Sequence, residues 1–580
     1  MVSPEDAARA PAWIVLGRDE AAVFAALLDG DGVESERVRL EASAFPRWAA
    51  VQEASGSPRW VWNDAPQWYP QLLAAGVRLA RCHDLRLVHA ILSRSELVTN
   101  GEALRAAVEW DAPPFVAETV QAPTLFDLDA TGAASGPPAS LDAALGEWIR
   151  QRDAVASSRV PGRLRLLVAA ESAGALIAEE LRAAGLPWDA RAHDRILTET
   201  LGERPLGGGQ PALLAAAAAR VREALGDPTV SLDSQPKLLR ALHRAGVLVE
   251  STSRWELAEQ RHPVIEPLLE YKKLSRLLSA NGWAWLDEWV ADGRFRPVFV
   301  PGGVVTGRWA SSGGGALQLP RQLRPAVHAD PGWKLIVADV AQLEPRVLAA
   351  MASDTALAAA ARGRDLYAGI VESGAVASRQ DAKIALLGAM YGATTGESGR
   401  LVPRLRRIYP RAMGLVDDAA QTGEDGGIVS TWLGRSAPPP SETWDAAQSR
   451  ATEAEASGAD ESRARRWARD RGRFTRNFIV QGTAAEWALA WMADLRARLF
   501  ALPPVPPAEG SERSGPVFAR HPHLAFFLHD EVIVHAPEAL AETAAQCVTD
   551  AATAAGRLLF GDFSVDFLLD VRVSDSAGKD

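Results

Sequence analysis

Acidic residues interrupt two apolar stretches that are typical of buried strands. Asp339 follows the run Leu-Ile-Val-Ala, and His529, Asp530 and Glu531 stand between Phe-Phe-Leu and Val-Ile-Val. Neighbouring carboxylates repel each other when buried, so a positive group should lie close to them. If the strands bring Asp339 and Asp530 together, divalent cations would let both stay ionised, as paired Mg²⁺ ions do in phosphoryl transfer. Taken alone, Asp339 is more simply explained as a helix cap.

A cationic helix face is predicted in the segment SRQDAKIALLGAMYG. Arg379, Lys383, Leu387 and Tyr391 recur every four residues, which places them on one face of a helix. Two cations followed by an apolar residue and an aromatic suit a nucleoside triphosphate. Because the chain has no GxxxxGK[ST] loop, side chains would hold the phosphates. A surface helix with ordinary charges is the alternative.

Two basic runs, 400–411 and 463–476, contain aromatic residues and flank the same region of the chain. Either run alone is most simply a solvated helix face, but the two together favour a polyanionic partner. The formal net charge of −11 argues only weakly against nucleic acid, because binding depends on the local field.

Length and composition indicate a multidomain globular protein. A chain of 580 residues exceeds one hydrophobic core, so we expect three or four domains. Cys82 and Cys547 are the only cysteines, which indicates a reducing, cytoplasmic location. The N-terminus does not resemble a signal peptide, and no stretch is apolar enough to predict a membrane span.

The order of patterns along the chain predicts its organisation. Short apolar runs alternate with helical patterns over the first 110 residues, which predicts a small α/β domain. A Pro- and Gly-rich linker follows at about 111–140, and then a long helical region. A polar insertion at 436–470 interrupts later helices, and its segment 437–462 is interpreted as a surface loop or tip.

Several motifs, in this order and spacing, resemble those of the family A DNA polymerases. DVAQLEPR, RQDAKIALLGAMYG and LHDEVIV are similar to motifs A, B and C of that family. ESTSRWEL, LEYKKLSRL, TGRWASS followed by LQLP, and NFIVQGTAAEW add further similarity. The resemblance covers roughly residues 163–573, and the ordered set is far more specific than any single motif.

The resemblance implies a multidomain α/β and α+β protein with a right-hand polymerase fold. It implies a thumb at 163–300, a palm at 301–365 and 476–580, and fingers at 366–475 that contain the insertion 436–470. Residues 1–150 would form a ribonuclease-H-like domain of the 3′–5′ exonuclease type.

The resemblance also implies roles for individual residues. Asp339 and Asp530 would hold two Mg²⁺ ions beside Glu531, and Lys383 would assist catalysis by protonating the pyrophosphate. The positions implied for the incoming nucleotide are Arg379, Lys383, Leu387, Tyr391, Gln342 and Glu344, the last excluding a ribose 2′-OH by its bulk. The positions implied for primer-template DNA are Arg308, Gln318, Arg346, Arg473, Asn477, Gln481 and His529.

Some positions depart from the family pattern. Val340 stands where motif A has tyrosine, Tyr367 where the fingers have histidine, and Phe527 where motif C has glutamine. Leu387 replaces the aromatic residue that packs on the sugar. These changes keep the metal ligands and the cations but bear on efficiency and sugar discrimination.

The N-terminal domain lacks the acids of an editing exonuclease. Neither of its first strands carries Asp-x-Glu, and Trp68 lies near the place of a further aspartate. Two-metal hydrolysis would then have no complete ligand set, so we expect a degenerate, structural domain. The linker segment QAPTLFDL, from Gln121 to Leu128, loosely resembles a sliding-clamp peptide, although a loop with incidental apolar residues explains it more simply.

These patterns predict a monomeric, template-directed DNA polymerase that adds dNTPs to a primer in DNA replication or repair. Two alternatives stay open. One is a DNA-binding accessory protein with little or no synthesis, and the other is a polymerase that also edits through Asp64 or Asp84.

Overall fold

The computed structural model describes residues 10–113, 136–315, 319–393, 396–453 and 455–578. The chain divides into two compact units. The first comprises Met1–Gly185, Val298–Ser312 and Pro331–Ser574, and the second comprises Leu186–Pro297, Gly313–Asp330 and Asp575–Asp580. Gln318 and the segment from Gln121 to Leu128 lie outside the described residues. Among the described residues, no helix combines the length and apolarity needed to cross a bilayer.

The first unit begins with a five-stranded mixed sheet in the order β3-β2-β1-β4-β5. β1 pairs antiparallel with β2 and parallel with β4, as expected of an α/β domain. Its central strands are buried because they consist mainly of β-branched and aromatic residues. The elements are β1 (Trp13–Arg18), β2 (Ala22–Leu28), β3 (Glu34–Glu41), α1 (Phe45–Gly56), β4 (Arg59–Trp62), α2 (Ala65–Ala74), β5 (Cys82–Asp84), α3 (Leu85–Leu92) and α4 (Glu102–Ala106).

Two helices join this sheet to the rest of the first unit. They are α5 (Leu141–Ala156) and α6 (Pro161–Ala184). α6 begins with Pro161, as favoured at a first helical position, and ends before Gly185. It packs against α2 and β5 of the N-terminal sheet. The predicted thumb boundary at residue 163 therefore falls inside a helix of the first unit.

The second unit is mainly helical and has a small sheet in the order β6-β8-β7. Its core includes Trp188, Trp285 and Phe295, whose ring centroids lie 4.8 to 5.6 Å apart. The elements are β6 (Leu186–Pro187), α7 (Ala190–Leu201), α8 (Ala212–Leu225), α9 (Gln235–Arg244), α10 (Arg254–Ala258), α11 (Ile265–Asn281), α12 (Trp283–Trp289), β7 (Val290–Ala291) and β8 (Arg294–Phe295).

The remainder of the first unit contains a second sheet, in the order β12-β13-β11-β14, and a large helical cluster. α18 packs along α20, and α20 also packs against α16 and α22. The elements are β9 (Val298–Val300), β10 (Ala310–Gly313), β11 (Trp333–Val340), α13 (Leu343–Met351), α14 (Thr355–Ala361), α15 (Leu366–Glu372), α16 (Arg379–Tyr391), α17 (Gly396–Ile408), α18 (Pro410–Glu424), α19 (Glu442–Ala451), α20 (Gly458–Ala501), α21 (Gly515–Phe518), β12 (His523–Leu528), β13 (Glu531–Pro537), α22 (Ala541–Phe560) and β14 (Leu569–Ser574).

The polar stretch 436–470 is not the surface loop that its composition suggested. It contains α19 and the beginning of α20, which is 44 residues long. Ser441 caps α19. Ser457 and Asp460 form a reciprocal capping box at the start of α20. These caps satisfy backbone N–H groups that would otherwise be exposed at helix ends, and so favour helices despite the polar composition.

Candidate functional site

Asp339, at the end of β11, and Asp530, just before β13, lie near each other at one end of the sheet β12-β13-β11-β14. In the antiparallel pairing of β11 and β13, Asp339 is the Cα partner of Glu531. The backbone N–H of Val340 donates to the carbonyl oxygen of Asp530 at 3.0 Å. This hydrogen bond joins the residue after Asp339 directly to Asp530, so the backbone segments that carry the two acids are adjacent.

A tight turn presents Asp530 at this edge. His529 and Asp530 connect β12 to β13, and Leu528 and Glu531 are the last paired residues. His529 has a φ of 57°, a left-handed conformation that costs a residue with a Cβ about 1 kcal/mol or more. The flanking hairpin holds the turn in this conformation. His529 itself is exposed.

The surroundings of Asp530 disfavour its ionised form in the absence of a cation. Burial raises the pKa of this carboxyl, and the charges of Glu344 and Glu531 raise it further, whereas Arg308 acts in the opposite direction. A carboxyl in such a position gains from a bound divalent ion. No group of three or more acidic, His or Cys side chains in the described part of the chain forms a metal-binding cluster. Two carboxylates fit Mg²⁺, which usually completes its shell with water and phosphate oxygens.

Glu344 connects the acidic edge to the predicted nucleotide helix. It lies in the first turn of α13 and forms an ion pair with Arg308. Tyr391, at the end of α16, donates its hydroxyl hydrogen to Glu344 Oε2 at 2.5 Å. Burial and the charge of Glu344 raise the pKa of Tyr391, so the phenol stays a hydrogen-bond donor. The structure thus brings together three residues predicted from separate motifs.

The exposed face of α16 carries the predicted cations. Arg379, Lys383 and Tyr391 are exposed and Leu387 is half-buried. Ser378 caps the start of the helix, and Gly392, with a φ of 74°, ends it in the left-handed conformation that glycine adopts without strain. The ammonium of Lys383 has no hydrogen-bond or ion-pair partner among the described residues. This face is therefore available to a ligand.

Asp365 is a functional candidate that the motif analysis missed. It accepts a hydrogen bond from Arg379 Nη2 at 2.8 Å and one from Gln342 Nε2 at 3.1 Å. Although partial burial opposes it, the hydrogen bond from Arg379 lowers the pKa of Asp365. The guanidinium of Arg379 also lies 5.5 Å from the ring centroid of Tyr367. The sequence motifs assigned no role to Asp365, which caps α15, because its contacts arise only in the folded chain.

The predicted DNA-binding residues of α20 lie on one side of the helix. Thr306 Oγ1 donates to Gln481 Oε1 at 3.1 Å. Asn477 is half-buried and has no hydrogen-bond partner among the described side chains and backbone. Arg473 is exposed and forms an ion pair with Asp470.

Arg346 does not lie on an accessible surface. Its side chain is 0% exposed, and its guanidinium donates to the carbonyl oxygens of Ala341, Ala361, Asp566 and Arg364 at 2.7 to 2.9 Å. A further bond at 3.4 Å reaches Gln342 Oε1. The DNA contact expected of Arg346 is therefore not possible in this arrangement, and the residue instead fixes the loop that follows β11.

The acids proposed for editing are buried in the N-terminal domain. Asp64 and Asp84 are each 0% exposed. Asp84 accepts from the N–H groups of Ala65 and Leu87 at 2.7 and 3.1 Å, and Asp64 accepts from Arg86 Nε at 2.9 Å. Burial, followed by the charge of Asp64, raises the pKa of Asp84 to about 7. Asp84 therefore caps α3 and Asp64 pairs with Arg86, so both acids have structural roles.

Comparison with known proteins agrees with the motif resemblance. The family described as DNA polymerase family A matches residues 235–579. A DNA polymerase I of Chloroflexus aurantiacus is 28% identical over 365 residues, which cover 58% of this chain and 35% of that protein. A thermostable DNA polymerase I of Thermus filiformis is 27% identical over 323 residues, 50% of this chain and 34% of that protein. The chain thus spans about a third of the length of these relatives.

A solved structure extends the likeness to the fold of nearly the whole chain. The POL domain of Pol1 from M. smegmatis, in complex with DNA primer-template and dNTP, superposes with a TM-score of 0.64. The match covers 97% of this chain and 95% of that one at 17% sequence identity. This structural match, together with the family match, confirms the multidomain right-hand polymerase fold that the sequence predicts.

Proposed function

We propose that this chain, which belongs to DNA polymerase family A, is a template-directed DNA polymerase that extends a primer with dNTPs. The observation that carries the proposal is the hydrogen bond from the Val340 N–H to the Asp530 carbonyl oxygen at 3.0 Å, which makes the backbone at Asp339 and Asp530 adjacent. Tyr391 of α16 reaches the same region through its hydrogen bond to Glu344. This combination of paired acids and side-chain cations fits nucleotidyl transfer.

Asp339 and Asp530 would hold two Mg²⁺ ions, with Glu531 beside them. Bound ions would neutralise the charge that develops on the attacking 3′-oxygen and on the leaving pyrophosphate. The raised pKa of Asp530, caused first by burial, supports this assignment because the carboxylate is stabilised only when a cation is near. The chain's own contribution is to fix one carboxylate at the end of β11 and the other in the tight turn before the adjacent strand β13.

The exposed residues of α16 would bind the incoming nucleotide. Arg379 and Lys383 would contact the triphosphate, and Lys383 would give a proton to the leaving pyrophosphate. Asp365 holds Arg379 by a 2.8 Å hydrogen bond, so we assign Asp365 and Gln342 to positioning this arginine. Leu387 would pack against the sugar and base through apolar contact alone.

Glu344 and Tyr391 would form the edge of the sugar site. Their 2.5 Å hydrogen bond keeps the Glu344 side chain in place, so that a ribose 2′-OH would meet a fixed carboxylate. Arg308, Gln481, Asn477, Arg473 and His529 would contact primer-template DNA, and Gln318 would do so from outside the described residues.

We assign the N-terminal domain a structural role, because Asp64 and Asp84 are buried and already bonded to other groups. We propose a monomeric enzyme that acts on cytoplasmic DNA in replication or repair. Clamp binding through the segment from Gln121 to Leu128 stays a prediction.

Primer extension tests the proposal. The wild-type protein, given Mg²⁺ and one dNTP at a time, should add only the nucleotide complementary to the template base, and Asp530→Ala should remove this activity. If the wild type binds primer-template DNA but adds no nucleotide under any condition, the chain is a DNA-binding accessory protein instead.

A further inference from the structure

The beginning of α20 carries an arginine stripe that continues the predicted DNA-binding face. The stripe comprises Arg463, Arg466 and Arg473 and is followed by Asn477 and Gln481 on the same helix. At 3.6 residues per turn these five side chains fall within about 80° of one another around the axis. Arg469 lies at the margin of this sector. Arg466 is about 16 Å along the helix from Asn477.

Of the four arginines Arg463, Arg466, Arg469 and Arg473, the middle two are the least neutralised. Arg466 and Arg469 are exposed and have no hydrogen-bond or ion-pair partner in the described ranges. The nearest carboxylate oxygen to Arg463 is that of Asp460 at 3.9 Å. By contrast, Arg406 in the neighbouring basic run is paired with Asp417 at 2.8 Å. The exposed guanidinium groups of Arg466 and Arg469 are thus free for an anionic partner.

The helix that carries the stripe is firmly held. Ser457 and Asp460 close its first turn with a capping box. Gln448 of α19 donates to the carbonyl oxygen of Ala464 at 3.0 Å, and Arg471 donates to the carbonyl of Gly427 at 2.9 Å. Because the helix is already ordered, binding of a ligand to its charged side chains costs less conformational entropy.

The position of the stripe along α20 indicates which DNA strand could contact it. Arg476 donates to the carbonyl oxygen of Ala389 on α16 at 2.8 Å, so this part of α20 lies beside the end of the predicted nucleotide helix. Arg469 and Arg466 lie two to three helical turns further from the Gln481 end. If the new base pair forms at α16, the template strand that passes Arg469 and Arg466 would be the single-stranded part that has not yet been copied.

We propose that Arg466 and Arg469, with Arg463 and Arg473, bind the phosphates of the single-stranded template ahead of the active site. The inference rests on the proposed function and adds a template-guiding surface built by the helical insertion. The chemistry is charge pairing with a flexible polyanion, which needs no base-specific contact.

Binding of fluorescent primer-template DNA, measured by anisotropy without Mg²⁺ or dNTP, tests the inference. One DNA has a ten-nucleotide 5′ template overhang and the other a one-nucleotide overhang. We expect Arg466→Ala/Arg469→Ala to bind the long overhang roughly 10- to 25-fold more weakly at 0.1 M salt, with a salt slope smaller by about 1.4. Affinity for the short overhang should be unchanged, and Arg466→Lys/Arg469→Lys should keep most of the wild-type affinity.

Arg557→Ala is the matched control, since Arg557 is an exposed arginine of α22 without a partner among the described residues. Equal losses on both DNAs would assign the stripe to duplex DNA and overturn the inference. No loss on either DNA, or a wild type without overhang preference, would also overturn it. Because the assay requires no catalysis, failure of primer extension alone would count against the proposed function and not against this surface.

Discussion

Asp339 and Glu531 are Cα partners across the antiparallel strands β11 and β13, and Asp530 immediately precedes that pair. Two acids that are nearly two hundred positions apart in the chain are therefore fixed by a backbone register and not by flexible loops. A one-residue slip of this register would turn every side chain of the strand to the opposite face. The geometry of the site thus depends on the apolar pattern of the strands that carry it.

Glu344 and Tyr391 should control the choice of sugar. Glu344→Ala removes the carboxylate that stands at the sugar edge, so we expect the ratio of kcat/KM for rNTP over dNTP to rise about 10- to 100-fold. Tyr391→Phe keeps the ring but removes the 2.5 Å hydrogen bond to Glu344, and should shift the ratio in the same direction by less. Single-nucleotide incorporation kinetics measure both. Unchanged ratios in both variants would remove Glu344 from the sugar site.

Glu486 should make stability depend on pH. Burial raises its pKa from 4.5 to about 7 in the folded protein. The folded state therefore binds more protons than the unfolded state between these values, and Glu486 destabilises the fold increasingly as pH rises through that window. A glutamine at this position cannot ionise. The difference in free energy of unfolding between Glu486→Gln and wild type should therefore shift in favour of the variant by roughly 3 kcal/mol as the pH rises from 4.5 to 8.

Urea unfolding at several pH values measures this difference. Glu442→Gln is a suitable control because Glu442 is exposed in the first turn of α19. A pH-independent difference between Glu486→Gln and wild type would contradict a raised pKa for Glu486.

A buried ion pair joins α6 to α20, and both of its residues also bond to the N-terminal domain. Arg496 donates to Glu180 Oε1 and Oε2 at 2.6 and 2.7 Å and to the carbonyl of Ala80 at 2.8 Å. Tyr69 donates to the same Glu180 at 2.7 Å. Arg496→Ala leaves the Glu180 charge buried with less compensation, so we expect a loss of about 3–5 kcal/mol in the free energy of unfolding.

The exposed ion pair between Arg204 and Asp287 gives the comparison. Arg204→Ala should leave the free energy of unfolding nearly unchanged, because water screens an exposed pair. A similarly small loss in the free energy of unfolding for Arg496→Ala would show that the contacts of Arg496 with Glu180 and Ala80 do not stabilise the fold.

Asp64 and Asp84 should not support editing. Both are buried and hydrogen-bonded within the domain, so we expect no release of mononucleotides from a primer with a mismatched 3′ end. Asp84→Asn should leave that result unchanged and should lower thermal stability through the altered cap of α3. Mismatch-stimulated degradation by the wild type that disappears in Asp84→Asn would establish an active nuclease.

The sequence predicted the acidic edge and the cationic helix because their signals are local. The apolar runs on either side of Asp530 indicate strands, and the four-residue spacing from Arg379 to Tyr391 indicates a helix face. Neither signal needs knowledge of distant contacts. The ordered motifs then placed these elements in one fold.

Other features depend on contacts that a sequence pattern does not contain. Arg346 is surrounded by backbone carbonyls from three separate segments, so its burial could not be read from its charge. Asp365 caps α15, and its link to Gln342 and Arg379 arises only on folding. The helices of 436–470 were missed because they lack a strong apolar face, although Ser457 and Asp460 have the spacing of a capping box.

The central claim is that Asp339 and Asp530 act as one metal-binding pair. Single-turnover extension of a bound primer-template, over a range of Mg²⁺ concentrations, should show losses on the order of 10³-fold or more for Asp339→Asn and for Asp530→Asn. The double variant should be no slower than the slower single variant, because groups that work as a unit are not additive. Asp562→Asn, at an exposed turn after α22, should extend at the wild-type rate. Near-wild-type extension by either single variant, with DNA affinity retained, would contradict the shared site.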